Sequence, residues 1–352
     1  DPELFARVQA VYDNRAAMSM TVEDAALLED TYESMVHAGA KLTPEQRERV
    51  KAINTELSTI TTQFGQQVRD ATVDGAIFVT DKAMLAGMSD ADIASAAKLA
   101  QEKGKPGQWA IALQNTTQQP VLPSLENRAL REKIFNASIH RADGVAGTGD
   151  TRTLLAKIAA LRAEKAALFG EPDWASYAMY DRMAKNPKTA LDFIGRMVPA
   201  LAATQRSDAA ALNAQIKAEG GNFQVKPWDW YRYSNKVKAE RYDLDEDKVM
   251  EYFQIQKVLE DGVFYAANQL YGLSFKRRTD LPVYHPDVWT YTVYDRDGSE
   301  LGLFYFDPYQ RPSKRGGAWM SNFVEQSHRT GNKPVIYNVL NIPKAAEGQP
   351  QL

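Results

Sequence analysis

Histidine is scarce in this chain: His37, His140, His285 and His328 are the four among 352 residues. None stands with another histidine, aspartate or glutamate in a recognisable metal-binding motif. His37 and His140 fall near helix C-termini, where the helix dipole favours a cation, and they read as structural. His285 precedes Pro286 in a loop, and His328 sits in SHRTGNK, an exposed loop by its composition. No metal site is expected from these four, and no catalytic residue is assigned among them. The chain has no cysteine, which removes disulfides, thiolate metal sites and a cysteine nucleophile. It also has no P-loop, no dinucleotide fingerprint and no serine-centred nucleophile elbow. Carboxylates are plentiful, and composition alone leaves a paired-carboxylate glycosidase open. In DLDEDKVMEY (243–252), however, Asp245, Glu246 and Asp247 fit the first turn of a helix, where acidic groups offset the dipole.

Two aromatic-rich stretches remain. KPWDWYRYSNK (226–236) has the residues to line a ligand groove, or to fill a core with its polar tips at the rim. GLFYFDPYQRPSKRGGAWMSNF (302–323) crowds aromatics into its first half and sets two adjacent glycines shortly before Trp319.

The elements that must position these residues are mostly helices. Thr43, Pro44 and Gln46 form a capping-box start with proline at the first helical position. From there Val50, Ile53, Leu57, Ile60, Phe64 and Val68 recur at three- and four-residue steps and mark one apolar face. Residues 2–18, 22–38, 89–103, 124–140, 151–169, 173–184, 188–218 and 245–271 are predicted helices, the seventh kinked at Pro199. Residues 75–80 and 108–113 are β-rich and suit a small hairpin excursion, whereas 141–152 and 219–227 read as loops. After Gly272 the character changes. Residues 288–295 and 300–307 are predicted strands, and Arg296-Asp297-Gly298-Ser299 between them carries the Asp-Gly signal of a tight turn.

Lys+Arg 42 against Asp+Glu 45 gives a net charge of −3, without the basic excess that nucleic-acid binding needs. No apolar run approaches the ~18 residues of a membrane span. The chain opens without methionine or a signal-peptide pattern, so its true N-terminus is expected upstream.

Three segments carry a resemblance. KPWDWYRYSNKVKAERYDLDEDKVMEYFQIQKVLEDGVFYAANQLYGL (226–273), DVWTYTVYDRDGSELGLFYFDPYQRPSKRGGAWMSNF (287–323) and KPVIYNVLNIPKAAEGQPQL (333–352) resemble the thimet-oligopeptidase family of zinc metallopeptidases. GAWMSNFVEQS (317–327) is most similar to its bacterial peptidyl-dipeptidase branch, while the helices from Asp1 to Met183 are compatible but individually weak. The resemblance implies a mainly α fold. A large helical body over 1–271 would line a channel for short, unfolded peptides, and 272–352 would begin a zincin-like α+β catalytic unit with a small sheet. It implies metal-assisted release of C-terminal dipeptides from oligopeptides. The alternatives are a general oligopeptidase of the same family and a non-catalytic helical module binding peptides or sugars.

In the family, the sequence beyond the equivalent of Leu352 continues into a helix bearing H-E-x-x-H. This chain resembles roughly the first half, so no catalytic or metal-binding position is carried over. Zinc is expected in the full-length enzyme and none in this chain, which by itself is expected to be inactive. The candidate substrate-binding residues are Gly316, Gly317 and Ala318, as an edge segment that pairs with the peptide backbone. A side chain at Gly317 would then obstruct the peptide while leaving the fold largely intact. The other reading of this segment is a turn, with Trp319 anchoring the core. Short oligopeptides are the expected partners of a monomer that engages neither nucleic acid nor membrane. The expected compartment is the cytoplasm, with the periplasm as alternative.

Overall fold

The computed structural model describes residues 1–344 apart from 114–118, 120, 146, 244, 245 and 312. Asp245 and the last eight residues of the third resembling segment therefore lie outside the described residues. The chain is mainly helical, with a small sheet toward its C-terminal end. The first half holds α1 (Pro2–Asp13), α2 (Val22–His37), α3 (Pro44–Asp74), β1 (Ile77–Val79), α4 (Asp90–Glu102), β2 (Trp109–Ile111), α5 (Arg128–Ile139) and α6 (Arg152–Leu168). The helices α7 (Trp174–Ala178), α8 (Pro187–Ala218), α9 (Pro227–Tyr242), α10 (Glu246–Met250), α11 (Ile255–Lys257) and α12 (Tyr265–Tyr271) follow, with a π-helix over Val258–Phe264 between the last two. The strands β3 (Ser274–Arg278), β4 (Trp289–Tyr294), β5 (Glu300–Tyr309), β6 (Trp319–Val324) and β7 (Val335–Ile342) close the order. No helix among the described residues is long and apolar enough to cross a membrane.

Two compact units divide the chain, each assembled from two stretches. One comprises Asp1–Val68 and Ala142–Ser207. The Thr43 box forms as the sequence predicts: Gln46 N donates to Thr43 Oγ1 at 3.3 Å, and Thr43 N donates to Gln46 Oε1 at 3.0 Å. The apolar stripe of α3 then packs Ile53 and Ile60 against Ile158 and Leu161 of α6, with Leu57 and Phe64 alongside.

The other unit comprises Arg69–Arg141 and Asp208–Leu352. Its β1 and β2 pair antiparallel, Ile77 opposite Ile111, so the two β-rich runs do meet, though with α4 inserted between them. With them Leu85, Leu113, Leu122, Leu125 and Ile134 form a buried apolar core. The five-stranded sheet has the order β3-β4-β5-β7-β6; β5 and β7 run parallel and the other neighbours antiparallel.

Two predicted helices change. Residues 173–184 shorten to α7 followed by turns, and 245–271 breaks into α10, α11, the π-helix and α12. Helix α8 forms over nearly the predicted range, with Pro199 inside it. The helix α9 was not among the predicted ones, because its run of tryptophans and tyrosines hides the period. Its start has a physical cause: Pro227 opens it, and the Asp229 carboxylate accepts from Lys226 N at 3.1 Å. None of Trp228, Trp230, Tyr231 or Tyr233 is exposed; Tyr233 packs with Leu212 and Ile216, and Trp230 lies against them. These aromatics fill the core, and the groove reading of 226–236 is not what the structure forms.

Candidate functional site

The aromatic-rich stretch 302–323 becomes β5, a connecting loop and β6. Strand β5 lies inside the sheet, paired with β4 on one side and β7 on the other, and Tyr305, Phe306, Asp307 and Pro308 are buried in succession, so both its faces are covered there. Phe304 and Phe306 face a cluster holding Ile255, Leu259, Phe264, Phe275, Trp289 and Tyr291. Tyr305 meets the ring of Phe323 edge-on at 6.0 Å, and its hydroxyl donates to Pro282 O at 3.3 Å. The density of aromatics is thus the cost of a strand buried on two faces. Gly302 answers a different demand: a Cβ there would come within 2.4 Å of Pro334 O, at the point where Leu303 N takes that carbonyl as β7 begins.

At the far end of β5, Pro308 has no N–H, and the ladder to β7 shifts register between Asp307 and Tyr309. An ionic cluster sits at this irregularity. The Asp307 carboxylate is 1 % exposed. Arg311 meets it with both terminal nitrogens at 2.7 Å, Lys314 Nζ at 2.8 Å, and the Tyr284 hydroxyl at 3.0 Å. Lys314, its side chain 3 % exposed, also donates to the carbonyls of Asp307, Tyr309 and Leu340. Burial pushes the Asp307 carboxyl up, but the bonds from Arg311 and Lys314 outweigh it and hold it below the usual aspartate range. Burial and the nearby Asp307 charge push the Tyr284 phenol up to about 12.

From this cluster the loop rises to Gly316, Gly317 and Ala318. All three are exposed and lie immediately before β6, outside the strand itself. Asn341 Nδ2 donates to Arg315 O at 2.8 Å and Gly317 O at 2.6 Å, so the Gly317 carbonyl already has a partner. Gly317 has φ +91° with open space around its Cβ position. A residue with a side chain is strained there by the backbone alone, which overturns the expectation that a side chain at Gly317 leaves the fold intact. Trp319 is half-buried and takes Arg315 over its ring at 5.8 Å. Beyond it, β6 pairs only with β7 among the described residues and presents Met320 and Phe323, 64 % and 57 % exposed, on an open strand edge. Such an edge is a template for another extended backbone.

A second concavity, of about 580 Å³, is lined by Glu260, Asp261, Phe264, Tyr265, Arg277 and Tyr291. Its polar groups are bonded to one another: the Tyr291 hydroxyl accepts from Arg277 at 2.9 Å and meets Glu260 at 3.3 Å.

The four histidines do not converge. His37 ends α2, but the dipole does not make it a cation. Its ring is stacked between Tyr177 and Tyr180 at 4.0 and 3.7 Å, and burial, reinforced by the charge of Lys165, lowers its pKa. His140 caps α5. His285 Nδ1 accepts from Asp287 N at 3.3 Å, and His328 is exposed. Among the described residues no group of three His, Cys, Asp or Glu could hold a metal ion, so the described residues do not fit a zinc site.

Comparison with known proteins supplies the rest. Residues 121–352 match the model of Peptidase family M3. Over 350 residues the chain is 45 % identical to the dipeptidyl carboxypeptidase of Escherichia coli (strain K12), covering 99 % of this chain and 51 % of that protein. The dipeptidyl carboxypeptidase of Salmonella typhimurium is 42 % identical over 349 residues, with 99 % and 51 % covered. Oligopeptidase A of Escherichia coli is 35 % identical over 321 residues, covering 90 % of this chain and 47 % of that protein. The chain thus spans about half the length of the curated relatives it matches.

Proposed function

The chain belongs to peptidase family M3, and from that membership we propose that it forms part of a zinc metallopeptidase releasing C-terminal dipeptides from short oligopeptides. The observation that carries this reading is the 45 % identity to a dipeptidyl carboxypeptidase along 99 % of the chain, against 35 % to oligopeptidase A. The hydrolysis is metal-assisted. No zinc ligand and no catalytic step are assigned to this chain. Its contribution is substrate binding: residues 1–271 form the body that walls a channel, and 272–352 open the catalytic unit. The segment Gly316-Gly317-Ala318 leads an extended peptide onto the free edge of β6, where backbone N–H and C=O groups pair. The protein works as a monomer in the cytoplasm on peptides, without nucleic acid or membrane.

The test uses the protein as its gene encodes it. Dipeptides released from the C-terminus of N-acetylated tetra- to hexapeptides, lost with a chelator and restored by zinc, are expected. Cleavage inside C-terminally amidated peptides, with no dipeptide from free ones, would establish the general oligopeptidase instead.

A further inference from the structure

Lys314 is buried at the join between a central strand and an exposed loop, and the proposed function gives it no part. The geometry points to Lys314 as a positioning residue: its ammonium locks the loop of residues 313–318 to the ends of β5 and β7, so that Gly316–Ala318 and the β6 edge are held ready to pair with a peptide backbone. The inference rests on the reading of β6 as the substrate-pairing edge, and adds the residue that sets its place.

The atoms argue for a lock. A lysine ammonium has three N–H donors and no acceptor. Here it meets one carboxylate oxygen of Asp307 and the carbonyls of Asp307, Tyr309 and Leu340. Two of these carbonyls flank Pro308, where the β5 ladder lacks an N–H, and the third belongs to β7. One side chain from the loop therefore bonds both strands at the irregularity where their own ladder shifts register. Arg311, three residues earlier, takes the same carboxylate with two nitrogens, which fixes the loop's first turn. Asn341, next to Leu340, then holds the carbonyls of Arg315 and Gly317. The loop is thus bound to the sheet by side chains at 311, 314 and 341, while its tip residues Gly316, Gly317 and Ala318 stay exposed. A loop that only connected two strands would need none of these buried charges, whose desolvation opposes folding. What the lock secures is the place of the edge, since a strand displaced by about 1 Å no longer meets the peptide's backbone groups at hydrogen-bond distance.

The test compares two peptide substrates on the full gene product: an ordinary oligopeptide, and the same peptide N-methylated at the backbone amide facing β6. Lys314→Met keeps the aliphatic stem and removes the charge. In wild type, N-methylation is expected to raise KM about tenfold, as loss of one well-placed hydrogen bond does. In Lys314→Met the ordinary peptide should show a KM raised about tenfold with kcat within twofold. The N-methyl group should cost nothing further, because the bond it removes is no longer made. If Lys314→Met does not fold, Asn341→Ala is the second variant, with the same pattern at smaller amplitude. No N-methyl penalty in wild type would refute the edge-strand reading itself. A full penalty in wild type that persists unchanged in the variant, with KM also unchanged, would leave the pairing standing and overturn the role of Lys314.

Discussion

Asp229 and Asp307 are both buried aspartates, 0 % and 1 % exposed, and each is held by two cationic side chains. The difference lies in where the cations come from. Asp229, on α9, is met by Arg128 and Arg131 of α5, 101 and 98 residues away along the chain. Arg131 is 1 % exposed; its guanidinium also binds the carbonyls of Leu125, Glu126 and Trp228. That cation is enclosed and fully bonded within its unit. Asp307 is met from four and seven residues away by Arg311 and Lys314, carried on a loop at the surface. The same chemistry joins two distant helices in one place and clips a local excursion in the other. The consequence of breaking it should differ accordingly.

The largest effect is expected at the helical pair. Asp229→Ala strands Arg131 in the interior and should destabilise the second unit by about 3–5 kcal/mol, read as a fall in the midpoint of urea unfolding with little change in slope. A loss no larger than that of an exposed ion pair would mean that Arg131 finds solvent after all, and the contrast would collapse.

A smaller and more local effect is expected from Asp307→Asn. Lys314 and Arg311 can swing outward with their loop, so the global midpoint should fall by about 1–2 kcal/mol. Hydrogen exchange of residues 313–324 should rise sharply, while that of β4 stays slow. Acid should mimic this variant. Asp307 titrates below its ordinary value of 3.8, so its contribution is present above that value and disappears as the pH falls through the lower one. Loop protection should therefore survive at pH 5 and vanish only in stronger acid. Equal exchange in wild type and variant would show that the clip holds nothing.

The smallest effect belongs to the other unit, where no ion pair holds the key side chain. His37, stacked between two tyrosines, has its pKa lowered from the usual 6.5, first by burial and then by Lys165. The unfolded chain then takes up the proton more readily. The unit should lose stability as the pH falls below about 6.5 toward the lowered value, and keep it above. His37→Gln should flatten that slope; a slope unchanged in the variant would place the titration elsewhere.

How much of this was legible in the sequence depended on whether the signal was local. The β4–β5 hairpin was, because Asp297-Gly298 and the flanking aromatic alternation lie within a few residues; Gly298 does take φ +81°. The Thr43 helix start was legible for the same reason. The pairing of β5 with β7 was not: a parallel neighbour after an intervening strand leaves no local mark. Helix α9 was hidden by its own core residues. At the candidate site the glycines were visible as unusual, but not the partner that holds Gly317. Asn341 lies 24 residues further on, and neither it nor Lys314 looks different from any surface polar residue until the chain is folded. His37 shows the converse, a correct position near a helix end with the wrong charge, because stacking and burial outweighed the dipole.

The strand order also dictates when the sheet can be assembled. Synthesis delivers β5, then β6, then β7, yet β7 occupies the slot between the other two. Until the ribosome has released residues 335–342, β5 has one vacant side and β6 has no neighbour at all. The nascent chain must therefore hold an aromatic strand half unzipped while β6 waits, and the last of these three strands to be made is the one that welds them. This is the interval in which a chaperone would find most to bind.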